Sequence, residues 1–458
     1  MGRNPDRLLP HDETRRAIAR AIYDRTASLP IISPHSHVEA RMLVENAAYP
    51  NPAALLIRGD HYLTRLLHAH GVPFEHLLEL TDDASHRRAW SALCDHWHEL
   101  AGTVVRYWLE EQLSSLFGIE LPPTGADYDR ISAQLAEPEF RPQALLRRFG
   151  VEVLATTDDP ADSLEWHLQL QAEGLRVIPT LRADVYMDVL HPSWTASLDR
   201  LALRSGVPTG TYAGLLGALR QRRSDFRDAG GTSTDTGVLE TWSEPLPEGE
   251  AERIHAAALR GEATLSERDA YRANMLYRFA ELSAEDGMVM QLHPGVHRNT
   301  HAPTLERFGP NTGHDLPARA SFIEPLAPIL RDFGTHQNFH LVLFTVDETA
   351  FARELAPLAG FYPAVRVGAP WWFLDTPDAM LRARQATTDQ IGYARGAGFV
   401  DDTRALASIP TRHDTARRVD AAFLADQVAT GRLDLDEAQQ IAVELVTSIP
   451  RRAFGLPA

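Results

Sequence analysis

Not one lysine occurs among the 458 residues; all 45 basic side chains are arginine. Without a side-chain amine the chain cannot form a lysine Schiff base, build a P-loop around a lysine or carbamylate one to bridge two metals. The single cysteine, Cys94, excludes an internal disulfide and points to a reducing cytoplasm. No stretch approaches the ~20 apolar residues of a membrane span. The opening MGRNPDRLLPHDETRRAIAR carries charges where an export signal needs an apolar core, so neither membrane partner nor export is expected. A formal net charge of −17 argues against a nucleic-acid surface. The hydrophobic fraction of 44% is that of a globular chain with a large core.

What is there is a repeated alternation. Eight short β-branched or apolar runs each end in polar residues: PIISPHSH, VEVLATTDD, LRVIPTLR, AGGTSTDTG, GMVMQLHPG, FHLVLFTVDE, AVRVGAPWW and GFVDDTR. The fourth, rich in glycine and threonine, has the least to bury. Stretches of helical periodicity, such as 164–172 and 378–397, separate most of them. Eight strand–helix units predict a distorted (β/α)8 barrel of the TIM type. Such a barrel needs about 250 residues, so much of the chain is surplus. The expected division is a helical segment over 1–28, a barrel over 29–41 and 146–458, and a helical insertion over 42–145, rich in Trp and Leu, covering the barrel mouth.

Barrel enzymes place their chemistry where strands end. Here those ends are His35 and His37, Arg182, Asp235, His293 with Arg298 beyond, Trp371 and Trp372, and Asp402 with Arg404. On a strand, residues two apart share a face, so His35 and His37 can share one ion; on a helix they would diverge by about 200°. Asp402 would add an oxygen ligand, leaving open positions as a catalytic metal site requires. Three arginines at one rim of an acidic protein suggest a local anion site. Plainer readings exist for each: ion-paired surface arginines, indoles as barrel packing, His293 as a core histidine. The pair in DHWH at 95–98 has the same spacing but lies in a helical run, where it is solvated or packed.

The motifs HSH, GDHY (59–62), TTDDP (156–160), TLR (180–182), HPGVHRN (293–299), FGPNTGHD (308–315), WWF (371–373) and DDTRALASIPTRHD (401–414) occur in that order. Together they resemble the uronate (glucuronate) isomerases, a divergent branch of the amidohydrolase superfamily, over about residues 29–456. The resemblance implies aldose–ketose isomerisation of hexuronic acids, D-glucuronate to D-fructuronate and D-galacturonate to D-tagaturonate, by enediol proton transfer. It implies one divalent metal held by His35, His37 and Asp402. His61, Tyr62, Asp235, His293, Asp402 and Arg404 would be catalytic, and Arg182, Arg298, Trp371 and Trp372 would bind substrate. His61 and Tyr62 rest on the resemblance alone. Nitrogen and oxygen donors suit zinc, manganese and iron about equally; zinc is the first candidate. The chain departs from the family pattern in Ser33–Pro34 before the histidine pair, in Thr236 where a histidine is usual, and in Asp401 and Thr403 at the last strand.

A nearby arginine, Arg404, is expected to favour a Tyr62 phenolate. Two rivals stay open at this point: a mononuclear metal-dependent hydrolase of a sugar acid or lactone, and a silent sugar-acid-binding protein. Homo-oligomer formation is equally open.

Overall fold

The computed structural model describes residues 4–457. Its strands are β1 (Ile31–Ser33), β2 (Val151–Ala155), β3 (Val177–Ile178), β4 (Leu181–Arg182), β5 (Ser233–Val238), β6 (Val289–Pro294), β7 (Val296–His297), β8 (Leu316–Pro317), β9 (Leu341–Leu343) and β10 (Val365–Val367). β1-β2-β3 form one parallel sheet and β10-β9-β6-β5-β4 another, while β7 and β8 make a small two-stranded antiparallel sheet. Helices follow most strands, as a parallel sheet requires.

The third run is where the two sheets meet. Pro179 lacks an N–H and splits it into β3, which pairs with β2, and β4, which pairs with β5. Asp158 bridges the break: its N–H donates to Thr180 O at 2.9 Å, and its carbonyl accepts from Arg182 N at 2.8 Å. The fourth run, expected to be weak, instead forms β5, which shares a six-pair register with β6 from Ser233↔Val289 to Val238↔Pro294. The Gln291 amide donates to the Ser233 hydroxyl at 3.0 Å, so that hydroxyl has a partner inside the sheet.

The eighth run is not a strand. Val367 forms an isolated bridge with Gly396, and beyond it the chain is irregular. Asp402 sits at φ 45°, a left-handed conformation that cannot continue a pleat. The segment nevertheless reaches β1: Asp402 N donates to His35 O at 3.3 Å, and His37 N to Thr403 O at 3.0 Å. The barrel is therefore distorted, its last stave held to its first by two backbone hydrogen bonds.

From Ala40 to Arg148 the regular structure is helical, packed around Trp90, Leu93, Leu109, Tyr128 and Ile131. The helix His61–Ala69 is capped by Asp60, whose carboxylate accepts from Tyr62 N and Leu63 N at 3.0 and 3.3 Å. That cap fixes His61 and Tyr62 in the first turn. Gly313, at φ 93°, lets the 308–315 loop lie against this helix; a Cβ there would stand 2.5 Å from the Arg65 Cβ. No helix among the described residues is long and apolar enough to cross a membrane.

Behind β2, the Thr156 hydroxyl donates to Asp158 Oδ2 at 2.6 Å and meets His167 Nε2 at 2.8 Å. Burial, offset in part by that hydroxyl, pushes the Asp158 carboxyl up to about 7; burial pulls His167 down to about 4. The signs oppose. A raised carboxyl contributes stability below its unfolded pKa of about 3.9 and loses it as pH rises through 7. A lowered imidazole contributes stability above about 6.5 and loses it as pH falls through 4. The stability difference between wild type and Asp158→Asn should therefore decline from pH 4 to 7 and level off above, in urea unfolding at stepped pH. A flat difference would refute the assignment.

Candidate active site

The strand ends converge on one mouth. His35 is fully buried, and its Nε2 lies 3.1 Å from Asp402 Oδ1; His37 Nε2 lies 3.1 Å from the same oxygen. The rings stand edge to face, 5.3 Å between centroids. Trp371 Nε1 donates to the other carboxylate oxygen, Oδ2. One carboxylate balances one imidazolium. Burial disfavours charge on both rings, but Asp402 and Asp235 lift His35 above its usual pKa, while burial prevails at His37 and takes it down to about 4. Burial likewise opposes charge on Asp402, yet the two imidazoles hold it well below the carboxylate range.

A second cluster abuts the first. His293 stacks on His35 at 4.6 Å and on Phe344 at 4.0 Å, and its Nδ1 lies 2.6 Å from Asp235 Oδ1. Arg182 Nη1 approaches Asp235 Oδ2 at 2.9 Å, and its Nε donates to Asp184 Oδ2 at 2.8 Å. Gly237 makes room for this arginine: a Cβ there would come within 2.3 Å of Arg182 Nη2. Asp235 and Gly237 share the face of β5 that meets Arg182. Thr236, between them, is buried, and strand alternation turns its side chain to the other face.

Two donor sets among the described residues suit a cation: His35, His37 and Asp402, and His35, Asp235 and His293. The second has a guanidinium on its carboxylate, which repels a cation and leaves Asp235–His293–Arg182 as an ion-paired group. The first has no arginine bond, and two imidazole nitrogens meet on one oxygen. Among the described residues, His35 Nδ1 and His293 Nε2 are buried without a hydrogen-bond partner. The residues present thus fit a divalent ion with nitrogen and oxygen ligands.

Arg298, exposed at the rim, donates to Asp315 at 3.1 Å and lies 4.8 Å over the Trp372 ring. His61 meets Trp372 edge-on at 5.4 Å, and burial lowers its pKa to about 4. Arg404 donates to the neutral side chain of Asn311 at 3.2 Å. Of the mouth arginines it is the one with no carboxylate among its side-chain bonds to the described residues. Tyr62 is not paired with Arg404. Its hydroxyl donates to Asp375 Oδ2 at 2.9 Å, and burial with that carboxylate raises its pKa well above 10, so the expected phenolate does not form. Arg412 donates to the same Asp375 oxygen at 3.0 Å and stacks over Trp108 at 3.8 Å. Neither Asp375 nor Arg412 was singled out from sequence; the only signals were their places beside WWF and within the last long motif. The helical DHWH pair takes no part: His98 is 80% exposed.

The mouth is strained. Of the six non-glycine residues at positive φ among the described residues, Asn299, Asn311, Phe373 and Asp402 belong to its loops. Such conformations cost about 1–3 kcal/mol each and cluster at functional sites.

Comparison with known proteins agrees. A family model described as glucuronate isomerase matches residues 12–451. A uronate isomerase from Corynebacterium efficiens is 46% identical, covering 99% of this chain and 98% of its own length. The crystal structure of a glucuronate isomerase from Caulobacter crescentus superposes with a TM-score of 0.96 at 39% identity, covering 100% of this chain and 98% of the other. That of a uronate isomerase from Thermotoga maritima gives 0.93 at 28%, covering 99% and 100%.

Proposed function

This chain belongs to the glucuronate isomerase family, and from that premise we propose how its own residues divide the work. It is an aldose–ketose isomerase of hexuronates. We assign it D-glucuronate and D-galacturonate as aldose substrates. The hydrolase reading loses its ground, since full-length likeness is to isomerases.

His35, His37 and Asp402 would hold one divalent cation, zinc before manganese or iron, whose chemistry there is to polarise and acidify the reacting oxygens. The remaining work falls to side chains. Arg298, braced by Asp315 and Trp372, faces solvent at the rim and suits the substrate carboxylate. Arg404, with only neutral Asn311 as its bonded partner, has charge to spare for the enediolate. Arg182 is consumed by Asp235 and Asp184 and orients the His293 dyad. With Nδ1 tied to Asp235, His293 presents Nε2 as a neutral acceptor for a sugar hydroxyl during ring opening, with His61 as its counterpart across the mouth. Trp371 and Trp372 wall the site against water.

Isomerisation moves one proton from C2 to C1 and another from O2 to O1. We assign the carbon proton to Asp402 and the oxygen proton to Tyr62. The observation that carries this reading is the meeting of His35, His37 and Asp402 with Arg404, a guanidinium left for an anion. Proton NMR with each aldose in deuterated water tests it. A ketose spectrum should grow without mass gain; hydration of the product, or inert samples with both sugars and metal supplied, would refute it.

A further inference from the structure

Tyr62 is held from behind by a buried ion pair that the site assignments leave unused. Its hydroxyl proton is committed to Asp375 Oδ2 at 2.9 Å, and the same oxygen accepts from Arg412 Nη1 at 3.0 Å. Arg412 is itself clamped: Nη1 reaches Asp401 O at 3.3 Å, Nε reaches Ser408 Oγ at 3.2 Å, and the guanidinium lies over both Trp108 and Tyr62, at 3.8 and 5.0 Å. Asp375 is 6% exposed, and its other oxygen, Oδ1, has no hydrogen-bond partner. A phenol whose proton points inward has only lone pairs to offer outward.

We propose that Asp375, braced by Arg412, is a positioning residue that makes Tyr62 a proton acceptor toward the substrate and takes the phenol's proton when Tyr62 receives one. The inference rests on the isomerase reading above. The O2–H bond breaks and its proton goes to Tyr62 Oη, while the phenolic proton passes to Asp375 Oδ2. The carbon base assigned above takes the C2 proton, so that the C2–H pair forms C1=C2 and the C1=O1 pair withdraws onto O1; the O2–H pair then becomes the C2=O2 bond while the C1=C2 pair takes the carbon proton at C1. O1 then receives a proton from Tyr62, which recovers its own from Asp375. No proton is gained or lost, and nothing is oxidised beyond the internal exchange between C1 and C2. Burial raises the Asp375 carboxyl and Arg412 opposes that rise, while its stacking holds the phenol ring in place.

The test is a cycle of Asp375→Asn, Tyr62→Phe and the double variant, with steady-state kinetics on D-glucuronate. Asparagine still bonds the phenol but cannot take its proton. Each single variant should lose about 100-fold in kcat with KM moving less than about threefold, and the double variant should be no slower than Tyr62→Phe. Losses that multiply, or an Asp375→Asn chain near wild-type kcat, would overturn the proposal. If Asp375→Asn does not fold, a proton inventory on wild type decides: two protons moving together bow the plot of rate against deuterium fraction, whereas a straight line overturns the relay. An inert wild-type chain would instead overturn the substrate reading and this inference with it.

Discussion

An Asp402→Asn chain should lose about 10⁴-fold in kcat/KM and most of its bound metal. The carboxylate is met on both sides: the His35 and His37 nitrogens lie 3.1 Å each from one oxygen, and the Trp371 indole donates to the other. An amide can satisfy only one side. Its NH2 must face either the indole N–H or the imidazoles, and it brings no charge to balance a cation. Metal content by mass spectrometry of the purified chain, alongside steady-state kinetics, checks this. Full metal content with a rate within tenfold of wild type would contradict the ligand assignment. Dialysis against a chelator should abolish wild-type activity, and add-back of zinc, manganese or iron in turn should show which ion restores it.

The second large effect is on stability. Arg412→Ala should cost about 3–5 kcal/mol, the range seen when one partner of a buried ion pair is removed. Asp375 would be left buried without its cation, the Tyr62 hydroxyl still donating to it. Packing over Trp108 would go as well. Urea unfolding measures the loss; less than about 1 kcal/mol would mean the carboxylate is otherwise compensated. Removing both charges together, as Arg412→Met with Asp375→Leu, should recover part of the stability, because neither charge is then stranded.

Much of this site is legible in the sequence because it sits where strands end. His35 and His37 are two apart, a spacing that means something only on extended chain, and Asp235 and His293 close two well-formed runs. Asp375 and Arg412 obey no such rule. One lies in irregular chain after the indole pair, the other in the first turn of the helix Ile409–Ala429, and only folding brings them to Tyr62 from separate parts of the chain. The eighth run misleads for a related reason. Its apolar residues look like a strand, but the φ of Asp402 is set by the need to turn a carboxylate toward two imidazoles, and no composition encodes that. Tyr62 shows the limit most clearly: the cation that governs it is Arg412, not Arg404, and spacing cannot choose between two arginines eight residues apart.

The two bonds joining the last stave to the first have a kinetic consequence. His35 and Asp402 are separated by 367 residues in the chain, so their meeting closes one of the longest loops the protein has. Closure of that size comes late, after local helices and neighbouring strands have formed. No partly folded or truncated intermediate lacking the C-terminal segment holds all three donors. Catalytic activity therefore reports completed folding: during refolding, turnover should lag behind recovery of helical circular dichroism, because the reacting centre lies on the seam that shuts last.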